Sequence, residues 1–416
     1  MQYIIAVDVG TTTIRACLYD DKCRLVDVAS DKIQVEISGN GELRVEIDPD
    51  VLFDQFIQAL NVIGAVLYFL TRNPRFKAAR MLKFLSSMVS HRVMVTIQQS
   101  MTLKNLLELD KLDFGCLETW LLWRLTDGNV HIAEASNCSS TGMFDPFIND
   151  YNMVILRIMG FPTMILPQVV DSANHARPLG HVAQRLFSRN IPIYAVLADQ
   201  QSALYGSGGW RRGDVKISLG TGTFVDMNTG STIHASMTGL YPLVAWRVEN
   251  EPVFVAEGNN HATAVVLKWA ESIGLFSNVA EISDLARTVP DSNGVLFIPA
   301  FGGRIYMVRA ILESIAFRVY QILETMHDEV GIIDKPRIRI CGGVAANDFI
   351  CQTIATLTGV AIERMKDVSY VACRGVALLA GYAQGACAMF KDELMKLSAS
   401  LISLKFVVQS KILNSI

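Results

Sequence analysis

Residues 3–20 read YIIAVDVGTTTIRACLYD, and residues 214–230 read DVKISLGTGTFVDMNTG. Each stretch is an apolar strand that runs into glycine and threonine and leaves as a second strand. The two lie about 210 residues apart. A pattern repeated at that distance predicts duplicated α/β domains, each opening on its own hairpin. The first copy carries Thr11, Thr12 and Thr13 in a row, and turning the chain does not call for them, because β-branched residues favour strands. A phosphate-binding hairpin uses them all: glycine lets the backbone approach closely, and N–H groups and hydroxyls donate to phosphate oxygens. Asp8, at the end of the strand, is placed to hold a metal ion. Either hairpin taken alone also reads as an ordinary turn. Together, Asp8 to Thr13 and Gly220-Thr221-Gly222-Thr223 point to two related domains that grip one phosphate chain from both sides. In the second copy Val215, Ile217 and Leu219 alternate with Lys216 and Ser218, which predicts a strand with one apolar face.

Two further segments carry chemistry. IRICGGVAANDFICQTIATLTG, residues 338–359, is a strand ending at Gly342-Gly343, with a helix expected from near Ala345 and apolar residues at helical spacing (Phe349, Ile350, Ile354, Ala355). Glycines at such a junction let a flat ring lie against the backbone and leave helix N–H groups available. IPIYAVLADQQSALYGSGGW, residues 191–210, predicts a long apolar strand that delivers Asp199, Gln200 and Gln201 to the start of a small-residue helix. A carboxylate followed by amides suits a base with substrate-orienting neighbours. It equally suits a helix N-cap, and the two roles are compatible.

Composition narrows the class. At 416 residues two domains are expected. A chain 51% hydrophobic and 19% charged reads as a well-packed globule. A net charge of −3 and a pI near 6.2 supply no basic surface for nucleic acid. Eight cysteines without a Cys-x-x-Cys pair fit reduced thiols and a cytoplasmic location. The longest apolar run, VIGAVLYFL at 62–70, is too short for a membrane span, and the KDEL at 391–394 is internal.

In this order the four segments resemble the sugar kinase–heat shock protein–actin superfamily and, within it, the FGGY-type carbohydrate kinases that include the glycerol kinases. FGCLETWLLWRLTDGNVHIAEASNCSSTGMFD at 114–145 resembles the long family signature, and LESIAFRVYQILETM and CRGVALLAGYAQG resemble two C-terminal helices. LYFLTRNPRFKAARMLKF at 67–84 resembles the branch called glycerol kinase 5. The likeness runs from residue 1 to about 386. It implies an α/β fold of two ribonuclease H-like (actin-like ATPase) domains around an ATP cleft: 1–207, 208–386 and an atypical tail, 387–416. It implies ATP-dependent phosphorylation of a small polyol, glycerol to glycerol 3-phosphate first, with ATP and Mg²⁺ as cofactors. Asp8 would hold Mg²⁺ through water, and Thr11, Thr12 and Arg15 would meet phosphates. Gly220, Thr221 and Gly222 would meet the terminal phosphates, and Gly343 and Asn347 would bracket the adenosine. Asp199 would be the general base, with Gln200 beside it on the substrate hydroxyls.

The chain departs from that pattern twice. After LFDQFIQALNVIGAVL the resemblance implies strands carrying a Thr/Asn-Gln-Arg triplet, and nothing between 60 and 100 reads as those strands. Arg72, Arg75, Arg80 and Arg92 fall instead in a basic stretch of helical character. After GVLFIPAFGG at 294–303 an expected glycine-rich loop and Ala-Arg-Gly segment are absent, and the chain proceeds directly to Arg304. The Lys/Ser spacing of the tail reads as an amphipathic helix or as unrelated sequence. Three readings therefore stay open: a glycerol-type kinase, a kinase for another sugar or sugar alcohol, and a nucleotide binder without turnover. The partner expected is a small polyol or sugar, with no nucleic acid and no membrane span; a homo-oligomer is left open.

Overall fold

The computed structural model describes residues 3–10, 13–20, 22–33, 36–38, 44–63, 89–175, 177–187, 189–260, 263–293, 304–331, 336–385 and 402–407. The chain divides into two compact units, each discontinuous in sequence. The first comprises Met1–Ser202, Leu243–Pro252 and Cys373–Ala388; the second comprises Ala203–Pro242, Val253–Ala372 and Met389–Ile416.

In the first unit, strands Ile4–Val9, Thr13–Tyr19 and Leu25–Lys32 form an antiparallel meander. The first hairpin closes with Gly10 N–H donating to the Thr13 carbonyl at 3.0 Å, and Asp8 faces Arg15 in register. Helix Pro49–Ile63 lays Leu52, Phe53 and Phe56 on Ile14 and Ala16, and Trp120 and Leu121 close the same core. Burying each such side chain stabilises the fold by about 1.5–3 kcal/mol. Among the described residues Ile4–Val9 is an edge of this sheet, with Ile5 exposed on it and Tyr3 exposed just before it.

The second unit is built on a sheet in which Glu251–Asn260, Thr223–Gly230, Val215–Leu219, Ile338–Cys341 and Ile362–Met365 lie side by side. Numbered along the chain, that is the order 3-2-1-4-5. Strands 1 to 3 are antiparallel, and strands 4 and 5 run parallel to strand 1. This is the ribonuclease H-like arrangement. Helices Arg304–Val330 and Asp348–Thr358 cover the sheet through Ile311, Ile315, Val319, Ile350 and Ile354.

Four sequence expectations need correction. The long strand at 191–198 is reduced to Pro192–Ile193, paired with Gly180–His181, plus a single bridge from Ala195 to Ala173. A strand needs a partner along its length, and among the described residues this segment has strand pairing only there, its later amides being held by single bonds to Ser172 and Ser136. Lys216 does not lie on a polar face: strand Val215–Leu219 is covered on both sides, and Lys216 is fully buried against Asp226. The helix after Gly343 begins at Asp348, because residues Gly343–Ala346 first make a 3₁₀ turn. The tail is no helix where it is described: Ile402–Phe406 adds an antiparallel strand beside Ile362–Met365, with Phe406 in the core.

The segment of residues 64–88, with Arg72, Arg75 and Arg80, lies outside the described residues, as does 294–303. Arg92 falls in helix Val89–Gln99 and Arg304 opens helix Arg304–Val330. No helix among the described residues is long and apolar enough to cross a membrane. No disulfide joins the cysteines among them, and only Cys116 is less than buried.

Candidate active site

In the first unit Asp8, Arg15, Asp199 and Gln200 form one group. Asp8 ends the first strand, and its Oδ2 accepts from Arg15 Nη1 at 3.2 Å. Asp199 opens helix Asp199–Gly206 and is exposed, whereas Ala198 before it and Gln201 and Ser202 after it are buried. Gln200 holds both carboxylate oxygens of Asp199: its backbone N–H donates to Oδ1 at 2.9 Å and its Nε2 to Oδ2 at 3.1 Å. The helix can sit where it does because of a glycine: a Cβ on Gly375 would lie 1.8 Å from the Ser202 carbonyl oxygen. Thr11 and Thr12 lie outside the described residues.

Asp8 and Asp199 feel each other's charge. Burial first, and then the carboxylate of Asp199, push the Asp8 carboxyl up to about 6, against the pull of Arg15. The folded chain thus prefers Asp8 protonated. That contribution to stability is present below the ordinary value of 3.8 and is lost as pH rises through about 6. The loss is about 3 kcal/mol. A divalent cation between such carboxylates offsets it. Among the described residues no three His, Cys, Asp or Glu side chains gather into a metal cage. One or two carboxylates fit Mg²⁺, which keeps its waters and takes its remaining ligands from phosphates. Mg²⁺ should therefore raise the melting temperature at pH 7.5 and have little effect at pH 5, where Asp8 is protonated. Asp8→Asn should abolish the difference. An equal shift at both pH values in thermal scans would show that Asp8 is not the metal carboxylate.

In the second unit two loops leave the same end of two neighbouring parallel strands, since Ser218 pairs in register with Cys341. In α/β sheets ligands bind at that end. Gly220 N–H donates to the Gly222 carbonyl at 2.9 Å, which curls the first loop and leaves Thr221 exposed at its tip. The Thr221 carbonyl accepts from Thr263 N–H at 3.2 Å and Ala264 N–H at 3.1 Å, so the loop caps helix Ala264–Ser272. Thr223 and Thr263 hydroxyls meet at 2.6 Å beneath it. In the second loop Gly342 has φ +92°, and a Cβ there would lie 2.4 Å from the Leu219 carbonyl oxygen. Gly343 is exposed and a Cβ on it would meet nothing within 4 Å, which leaves room for a flat ring. Asn347 caps helix Asp348–Thr358, its Oδ1 accepting from Ile350 N–H at 3.0 Å.

Sequence reasoning missed the residues that support these loops. Arg364 donates to the carbonyls of Ala345 and Ala346 and to Asp348 Oδ1 at 2.7 Å, fixing the second loop from the next strand. Thr263 and Ala264 carry no local signal, because their role depends on a loop some forty residues away.

Residues 102–206 match the N-terminal domain, and residues 304–384 the C-terminal domain, of the FGGY family of carbohydrate kinases. The human protein named glycerol kinase 5 is 32% identical, over 97% of this chain and 91% of its own length. That alignment spans 489 residues against the 416 of this chain, so the relative has internal residues with no counterpart here. Among solved structures, Plasmodium falciparum glycerol kinase with ADP superposes with a TM-score of 0.83 at 20% identity, covering 98% of this chain and 94% of its own. Ligand-bound xylulose kinase from Lactobacillus acidophilus gives 0.73 at 17% identity, covering 99% and 94%. At those identities the likeness is one of fold.

Proposed function

This chain belongs to the FGGY family of carbohydrate kinases, and we propose that it phosphorylates a small polyol, glycerol first, using ATP. Its fold class is that of the two-domain actin-like ATPases, and its reaction is phosphoryl transfer to a carbohydrate-type substrate. We assign residues 1–207 and 208–386 as the N- and C-terminal kinase domains, with 387–416 as a tail, in a cytoplasmic protein. The observation that carries the reading is the pairing of Asp8 with Asp199. A half-buried carboxylate able to hold a cation stands near an exposed one whose oxygens are oriented by Gln200.

Phosphoryl transfer depends on positioning and on neutralising charge at the phosphate oxygens. Mg²⁺, when bound, supplies part of that neutralisation. Asp8 would serve the metal, and Arg15, Thr11 and Thr12 the phosphates. Gly220, Thr221 and Gly222 would donate to the terminal phosphates, and Gly343 and Asn347 would flank the adenosine. An alcohol is a far weaker acid than a carboxylic acid, so Asp199 orients the hydroxyl and accepts its proton late, as the new O–P bond forms. Gln200 holds Asp199 in place for this and adjoins the acceptor.

A calorimetric titration with ATP and Mg²⁺, followed by glycerol and then by sugar alcohols and ketoses, tests the reading. Binding of ATP followed by heat of reaction on glycerol supports it. Reaction only with a larger sugar moves the acceptor to the second class. One observation favours the third reading, a nucleotide binder: among the described residues the first strand is a sheet edge, in a chain that lacks internal residues of its relative. ATP binding with no reacting acceptor would establish it.

A further inference from the structure

We propose that Glu134 is a positioning residue for Asp199, acting through the hydroxyl of Ser136. The proposal rests on the reading of Asp199 as the base. Glu134 is wholly buried and caps the short helix Ala135–Ser139. Its Oε1 accepts from Ser136 N–H at 2.9 Å and from the Ser172 hydroxyl. Its Oε2 accepts from the Ser136 hydroxyl at 2.5 Å and from Asn137 N–H at 3.1 Å and Nδ2 at 3.3 Å. Capping the helix needs only the two backbone N–H groups. The two serine hydroxyls are additional, and what they do next is the point.

Both hydroxyl protons are committed to the carboxylate, so each serine oxygen turns its lone pairs outward. Ser136 Oγ accepts from Ala198 N–H at 3.0 Å, the amide immediately before Asp199. Ser172 Oγ accepts from Arg247 N–H at 2.9 Å, while the Ser172 carbonyl accepts from Val196 N–H at 3.0 Å. Val196 and Ala198 point to the same flank of an extended segment, so the two bonds clamp it at alternate residues. Among the described residues its only ladder contact there is the lone bridge of Ala195 to Ala173. The segment that aims Asp199 is therefore held by the Ser136 hydroxyl, itself anchored on Glu134, and by the Ser172 carbonyl, in place of a full strand partner. Burial pushes the Glu134 carboxyl up, and the bonds from Ser136, Ser172 and Asn137 pull it back.

Ser136→Ala leaves the backbone cap on Glu134 intact and removes the link to Ala198. Steady-state kinetics should show kcat reduced about 10- to 100-fold, the range expected for a catalytic group displaced by a fraction of an ångström to one ångström. KM for ATP should hold within about twofold, because the phosphate groups do not depend on this link. Ser136→Cys, which keeps a weak donor and acceptor, should fall between the two. Amide hydrogen exchange gives a readout independent of turnover: Ala198 should exchange faster in Ser136→Ala, with Trp120 and Leu125 unchanged. If the wild type shows no turnover, the functional reading fails on its own, and faster exchange confined to Ala198 still supports the clamp. An unchanged kcat in an active enzyme, or unchanged exchange at Ala198 in an inactive one, overturns the proposal. If Ser136→Ala does not fold, the Ser136→Cys variant carries the same comparison.

Discussion

Asp199→Asn should reduce phosphoryl transfer by about 10²- to 10⁴-fold, the usual worth of a general acid–base group, while leaving nucleotide affinity nearly unchanged. Asparagine keeps the shape and can still accept from Gln200, but it cannot take the proton as the acceptor oxygen bonds to phosphorus. The substitution has a second consequence that needs no activity to observe. The negative charge of Asp199 is the second cause, after burial, of the raised Asp8 carboxyl. Removing it should bring Asp8 down from about 6 toward the ordinary range, visible by NMR titration of the side-chain carboxyl. A fully active Asp199→Asn would remove Asp199 from the base role. An Asp8 titration unmoved by it would mean that the two carboxylates do not share a site.

That coupling marks the boundary between what local sequence shows and what only the folded chain shows. Asp8 at the end of a strand and Asp199 at the start of a helix are both legible from their neighbours, because Gly-Thr hairpins and small-residue helix starts are local patterns. So are the two hairpins themselves, at Ile4–Tyr19 and Val215–Gly230, since each strand pair is joined by its own short turn. Burial of Lys216 is not legible, because strict alternation with Val215, Ile217 and Leu219 reads as a half-exposed strand. What covers its other face arrives from elsewhere in the chain. The clamp of Glu134, Ser136 and Ala198 spans more than sixty residues, and sequence alone shows only a serine-rich stretch inside a family signature. The tail fails for the same reason: Ile402–Phe406 is a strand only because Ile362–Met365 offers it an open edge.

Lys216→Met should destabilise the second unit by about 3–5 kcal/mol, the cost of breaking a buried ion pair from one side. Lys216 and Asp226 sit directly opposite in the hairpin that carries Gly220 to Gly222, with side chains 0% and 1% exposed. On its other flank Asp226 faces Glu257, itself buried, so Asp226 stands between the ammonium and a second carboxylate. Burial alone would lower the Lys216 ammonium, but the nearby negative charges, Asp226 foremost, win and hold it above 10.5. Its contribution to stability is therefore full at neutral pH and is lost only as the solution becomes strongly alkaline. Methionine fills most of the space but leaves Asp226 beside Glu257 with no cation. Replacing the pair together, Lys216→Met with Asp226→Leu, should recover most of the loss, since an apolar pair of similar volume avoids burying either charge. Urea unfolding of the single and double variants separates the cases. A double variant as unstable as the single one would assign the loss to packing of the hairpin, and a stable single variant would mean that Asp226 accepts a proton in the folded chain. If the ion pair holds the hairpin of Gly220 to Gly222 rigid and that hairpin meets the phosphates as proposed, the double variant should regain stability and still bind ATP less tightly than the wild type. Shape would then be restored without the fixed register that the charges impose across the two strands.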